Sequence, residues 1–155
     1  MLRGYTIPVI DISGETSRQV TVDREKGIYL GHVTTCLLDD GKTILAAYPK
    51  SHGRGQIVLK RSEDGGKTWS PRLPVPDSFS TSLEVPTLFK VRREDGGQRL
   101  LLFSGMYPIR MSVSEDLGNS WSELSPIGNY GGIVALGDMI RLKNGDYMGL
   151  FHDES

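Results

Sequence analysis

Two segments of this chain repeat each other 52 residues apart. They are Ser62-Glu63-Asp64-Gly65-Gly66-Lys67-Thr68-Trp69 and Ser114-Glu115-Asp116-Leu117-Gly118-Asn119-Ser120-Trp121. Both read S-x-D-x-G-x-[ST]-W. A repeat of that period constrains the fold before any single residue does, because repeated units bury their apolar faces by stacking on one another.

Each segment reads first as a turn. Asp64 and Asp116 can accept hydrogen bonds from backbone amides a few residues on, and Ser62 and Ser114 can add a second side-chain-to-backbone bond. Gly66 and Gly118 tolerate positive φ. Leu117 stands where the first copy has Gly65, and the sequence predicts negative φ there. Trp69 and Trp121 leave the turns as large apolar anchors. Every position in the motif has a structural role, so the repeat carries no chemistry of its own.

The period extends beyond the turns. His32–Leu38, Thr43–Tyr48 and Gln56–Arg61 read as three strands, with Asp39-Asp40-Gly41-Lys42 as a hairpin turn between the first two. A fourth strand is expected near Arg72–Val75. Pro86–Val91, Arg99–Ser104 and Ile109–Val113 repeat the order, with the turn Glu94-Asp95-Gly96-Gly97. Gly132–Leu142, the turn Lys143-Asn144-Gly145 and Asp146–Phe151 begin a third unit. Two short strands are expected at the N-terminus, Tyr5–Ile12 and Arg18–Asp23. Four-stranded units at this spacing predict an all-β propeller. Residues 1–27 would be its N-terminal strands, 28–80 and 81–130 two antiparallel blades, and 131–155 an incomplete third. The chain thus reads as the N-terminal portion of a longer protein, two and a half blades whose C-terminal partners lie in the rest of its own chain.

Composition agrees and excludes other classes. Nineteen glycines and eight prolines among 155 residues suit a turn-rich all-β chain. A net charge of −1 gives no electrostatic reason to expect nucleic acid or an anionic membrane. No run approaches 18 apolar residues, and Met1–Ile10 lacks the apolar stretch of a signal peptide. The compartment stays open between cytoplasmic and secreted after processing. The lone Cys36 lies in an apolar run and reads as a small core residue. Three scattered histidines offer no metal-ligand spacing, and no phosphate-binding or dinucleotide fingerprint occurs, so neither metal nor cofactor is expected.

The repeated motif resembles the Asp-box of sialidases, the bacterial neuraminidase repeat, and the resemblance covers about residues 28–152. It includes Thr43–Tyr48 with Gln56–Ser62 before the first box, and Glu84-Val85-Pro86-Thr87 at the entry to the second blade. The resemblance implies a six-bladed propeller with the boxes on the face away from the active site. It implies an exo-acting glycoside hydrolase that removes a terminal, acidic sugar from a glycan. The chain departs from the family at one telling point. Sialidases carry an arginine in a Tyr/Phe-Arg-Ile-Pro motif, whereas Tyr5-Thr6-Ile7-Pro8 has threonine there and Tyr29-Leu30-Gly31-His32 has none. The family's other carboxylate-binding arginines and its tyrosine–glutamate pair would lie in later blades. A non-catalytic Asp-box propeller that binds glycan or protein is the competing expectation.

Candidate site residues are therefore polar groups in loops at the end of the sheets opposite the boxes. The richest loop is Lys50-Ser51-His52-Gly53-Arg54-Gly55. Arg54 could grip a carboxylate bidentately, and His52 offers an imidazole for proton transfer. Glu84 could serve as general acid/base if burial raises its pKa. Glu84 and His52 are the catalytic candidates. His32, Arg54, Lys50, Arg110, His152 and Asp153 are the substrate-binding candidates.

Overall fold

The computed structural model describes residues 8–130 and 133–153. These form three antiparallel sheets. Sheet 1 contains β1 (Thr34–Leu37), β2 (Ile44–Pro49) and β3 (Ile57–Ser62). Sheet 2 contains β4 (Thr87–Arg92), β5 (Gln98–Ser104), β6 (Arg110–Ser114) and the two-residue β7 (Ser125–Pro126). Sheet 3 contains β8 (Ile133–Arg141) and β9 (Tyr147–Asp153). Strand order follows chain order in each sheet, as short hairpin connections dictate.

The sheets stack because their strands are apolar on both faces. In β5, Leu100 and Leu102 join Leu45, Ala47, Ile57, Leu59 and Phe79 in a core between sheets 1 and 2. The alternate residues Leu101 and Phe103 turn the other way, into a core shared with Leu136 and Met139 of sheet 3. The first strands of neighbouring sheets lie side by side and run in the same sense. Leu88 N–H donates to Thr34 Oγ1 at 3.2 Å, and Lys90 Nζ donates to Leu37 O at 3.0 Å. One step further along, Arg92 N–H donates to the Tyr147 hydroxyl at 2.8 Å.

The two boxes have nearly the same hydrogen bonds. In the first, the Gly66 amide donates to Ser62 Oγ at 2.8 Å, and the Thr68 amide and hydroxyl donate to the two Asp64 oxygens at 2.9 and 2.6 Å. In the second, Gly118 donates to Ser114 Oγ at 2.7 Å, and Ser120 donates to Asp116 at 2.8 and 2.6 Å. These bonds stabilise the ionised carboxylates. The Thr68 hydroxyl and amide hold Asp64 down at about 2, and Ser120 does the same for Asp116.

Four expectations need correction. Leu117 has φ of +59°, not a negative value. The box geometry demands the left-handed conformation, and Arg61 Nη2 holds the Leu117 carbonyl at 2.6 Å. Arg72–Val75 is not a strand of sheet 1. Only Ser70 and Leu73 donate across to β3, at 2.8 Å each, and two prolines nearby limit the ladder. Residues 8–12 and 18–23 form no strands, because no neighbouring strand pairs with them among the described residues. Thr16–Arg18 is instead a single 3₁₀ turn. Tyr5 to Ile7 lie outside the described residues. Cys36 is buried in the first core as expected, and burial raises its thiol pKa.

Gly118 shows how closely the second box sits on sheet 1. A Cβ there would lie 2.4 Å from Leu45 Cδ1, and Leu45 is fully buried. A Cβ on Gly65 would meet open space, although both glycines have positive φ. Gly118→Ala is therefore expected to destabilise by about 1–3 kcal/mol more than Gly65→Ala in urea unfolding, because only the former overpacks the core. The box carboxylates make a second prediction. Their folded values lie below the ordinary 3.8, so their contribution is complete above about pH 4 and is lost as the pH falls towards 2. The Asp64→Asn, Asp116→Asn double variant should show a flatter fall of stability between those pH values in acid-titrated unfolding.

Candidate functional site

Strand register divides the described residues between two edges. At one edge lie the ends Thr34↔Ala47, Pro49↔Ile57, Ser104↔Arg110 and Ile133↔Asp153. At the other lie Leu37↔Ile44, Arg92↔Gln98 and Arg141↔Tyr147, with the Asp-Gly and Asn-Gly turns and both boxes. The first edge therefore carries His32, the 50–55 loop, Glu84 and Arg110. His152 and Asp153 belong to this edge by their place at the end of β9, but their side chains lie outside the described ones. The chain's titratable candidates thus share one edge, opposite the boxes.

Within that edge, the sequence candidates fall into two groups. The first is a ring cluster. His32 and His52 meet edge to face with centroids 4.6 Å apart. Tyr29 sits 5.4 Å from His52 and 6.1 Å from His32. A single bridge between Leu30 and Lys50 brings the two segments together. His32 adopts φ of +52°, which turns the chain sharply into β1. Gly55, at φ of +124°, is needed where the loop closes: a Cβ there would lie 2.8 Å from the Lys50 carbonyl oxygen.

The second group borders the gap between sheets 1 and 2. The Gly55 amide donates to Ser82 O at 3.3 Å, tying the 50–55 loop to the entry of β4. Ser82 Oγ donates to the Glu84 carbonyl at 2.9 Å and shares a buried 2.7 Å bond with Ser104 Oγ. The Glu84 carboxylate accepts the Val85 amide at 2.7 Å. Arg110 reaches back to Thr81, donating to its hydroxyl and its carbonyl at 2.8 Å each. It makes no ion pair among the described residues, and desolvation lowers its pKa. Arg54 is exposed and likewise unpaired among the described residues.

Lys50 is committed elsewhere. Its Nζ lies 3.1 Å from Glu25, and Arg72 lies 2.6 Å from Glu25 and 2.8 Å from Asp23. The Tyr48 hydroxyl donates to Asp23 at 2.5 Å, and Lys60 Nζ donates to Val22 O at 2.5 Å. This network clamps residues 22–25 over the outer face of β2 and β3. Burial pushes the Asp23 carboxyl up, but the bonds from Arg72, Tyr48 and the Arg24 amide outweigh it and hold the value low. Arg72 and then Lys50 hold Glu25 low in the same way. Burial, followed by Asp23, raises the Tyr48 phenol. Nothing in the sequence marks Asp23, Glu25, Tyr48 or Arg72 as a group, because 23 and 72 meet only when the chain folds back. Tyr29 enters the sequence reading only as the first residue of Tyr29-Leu30-Gly31-His32, the stretch without the family's arginine.

No group of three or more histidine, cysteine, aspartate or glutamate side chains is placed to hold a metal among the described residues. Among the described residues, no helix is long and apolar enough to cross a membrane.

Arg72→Met removes the cation that, among the described residues, pairs with both Asp23 and Glu25. Limited trypsinolysis should then cut after Arg24 and Lys26 several-fold faster, since local opening governs cleavage there. Unchanged rates would mean that the ion pairs do not hold this segment. No protein-family model matches the chain, and no curated protein matches it significantly.

Proposed function

We propose that the three stacked sheets are successive blades of an Asp-box β-propeller, and that the protein is a sialidase-like exo-glycoside hydrolase. Its substrate would be a glycan ending in an acidic sugar. The observation that carries this reading is the division between edges: the two boxes occupy one edge, and His32, His52, Arg54, Glu84 and Arg110 occupy the other. The stacked sheets whose first strands lie side by side also support it, since radial blades pack in this way.

In this reading Glu84 is the acid/base candidate, with His52 as the second. Arg54 and Arg110 make no ion pair among the described residues; Arg54 can offer paired N–H donors to a carboxylate, while Arg110 is already tied to Thr81 through both terminal nitrogens. Lys50 takes the lesser role of fixing the loop, because Glu25 already neutralises it. Binding without catalysis remains the second reading, favoured by the absence of arginine at positions 6 and 29–32.

Assay of the native protein on aryl glycosides separates the two. The hydrolase reading expects turnover of an aryl N-acetylneuraminide or another acidic glycoside above its neutral analogue. Glu84→Gln should lower kcat by about 10²–10⁴-fold, the usual loss of a general acid/base. Arg54→Ala should raise KM about tenfold for the acidic glycoside alone, roughly 1.4 kcal/mol of binding. Retained sugar binding with no turnover of any glycoside would establish the binder instead.

A further inference from the structure

Among the described residues, the exposed tyrosines are Tyr29, Tyr107 and Tyr130, at 55%, 60% and 54% exposure. All three lie at the edge opposite the boxes: Tyr29 before β1, Tyr107 between β5 and β6, and Tyr130 before β8. Tyr48 is buried in sheet 1, and Tyr147, at the box edge, is half-buried. Two of the three exposed rings rest on a glycine. A Cβ at Gly31 would lie 2.5 Å from the Tyr29 hydroxyl and 2.6 Å from its ring carbons. A Cβ at Gly128 would lie 2.4 Å from the Tyr130 ring. The backbone is bare where each ring lies down, so each ring can rest flat against the chain.

Tyr29 is the best developed of these. His32 and His52 flank it, all three rings are accessible, and Lys50, which bridges Leu30 through the backbone, is neutralised by Glu25. The result is an accessible ring surface whose His52 shares its loop with the exposed hydrogen-bonding side chains of Ser51 and Arg54. A pyranose has the complementary surface: a face of weakly positive C–H groups to lie on the negative face of a ring, and hydroxyls around its edge. An acidic ligand would not need the rings, and an aliphatic one would not use the hydrogen-bonding side chains of the same loop.

We propose that Tyr29, His32 and His52 form a stacking subsite for a neutral pyranose, the sugar next to the terminal acidic residue of the glycan. This rests on the glycan reading of the same edge and extends it by naming what the ring cluster binds.

The test is a sugar titration of the native protein followed by NMR. The chain has three histidines and six tyrosines, so their ring signals can be assigned by substitution. The probes are methyl β-galactopyranoside and methyl β-glucopyranoside. At about millimolar affinity, the Tyr29, His32 and His52 signals should shift together and saturate. Tyr29→Phe should keep the binding. Tyr29→Ala and Gly31→Ala should weaken it about tenfold, within the range of an aromatic stacking contact. Tryptophan emission checks the fold in each variant, because Trp69 and Trp121 belong to the boxes at the far edge. Signals that do not move, or move equally in Tyr29→Ala, overturn the proposal. Stacking with no turnover of any glycoside would leave the subsite standing and remove the hydrolase reading. Turnover with no shift would do the reverse.

Discussion

Strand β5 is apolar on both faces, and the rest of the structure depends on that. Leu100 and Leu102 need cover on one side, while Leu101 and Phe103 need it on the other. A sheet of this kind cannot stand at a surface, so sheets must stack against both faces. Burying a leucine side chain is worth about 1.5–3 kcal/mol. Two interleaved rows along one strand therefore hold the stack more strongly than any surface ion pair. Because the first strands run in the same sense, corresponding ends of every sheet face the same way. That orientation, set by packing, is what gathers the loops at one edge.

The boxes belong to this frame and do not compete with it. Each Asp carboxylate satisfies backbone amides that would otherwise be left at a tight turn, and each glycine admits a conformation that side chains resist. Leu117 shows the strength of the demand, because a leucine is held at positive φ where the first copy has glycine. The bond from Arg61 to the Leu117 carbonyl and the close seat of Gly118 on Leu45 join the second box to the first sheet. The repeat thus acts twice, once as a turn and once as a clip between neighbouring sheets.

Much of the candidate site was legible as residues and little of it as an arrangement. His32, His52, Arg54 and Glu84 were recognisable because loops at strand ends carry polar side chains with no turn to make. Their grouping followed from counting strands, since antiparallel hairpins alternate their connections between two ends. Lys50 looked equivalent to Arg54 in the sequence. Only folding brought Glu25 across to neutralise it, while Arg54 stayed open. Tyr29 carries no signal in the sequence for a similar reason. Its contact with His52 spans residues far apart in the chain, and its seat on Gly31 depends on a missing side chain.

By itself, the sequence determined the all-β class, the period, the hairpin turns and the chemistry inside each box. These are local properties, set by alternation, turn residues and short-range hydrogen bonds. The tertiary structure alone decided that residues 8–12 and 18–23 are not strands, that residues 22–25 clamp the outer face of sheet 1, and that three rings meet at one edge. Those outcomes depend on which surfaces find partners. A strand needs a neighbouring ladder and a charge needs a counter-ion, and neither is written in the segment that needs it.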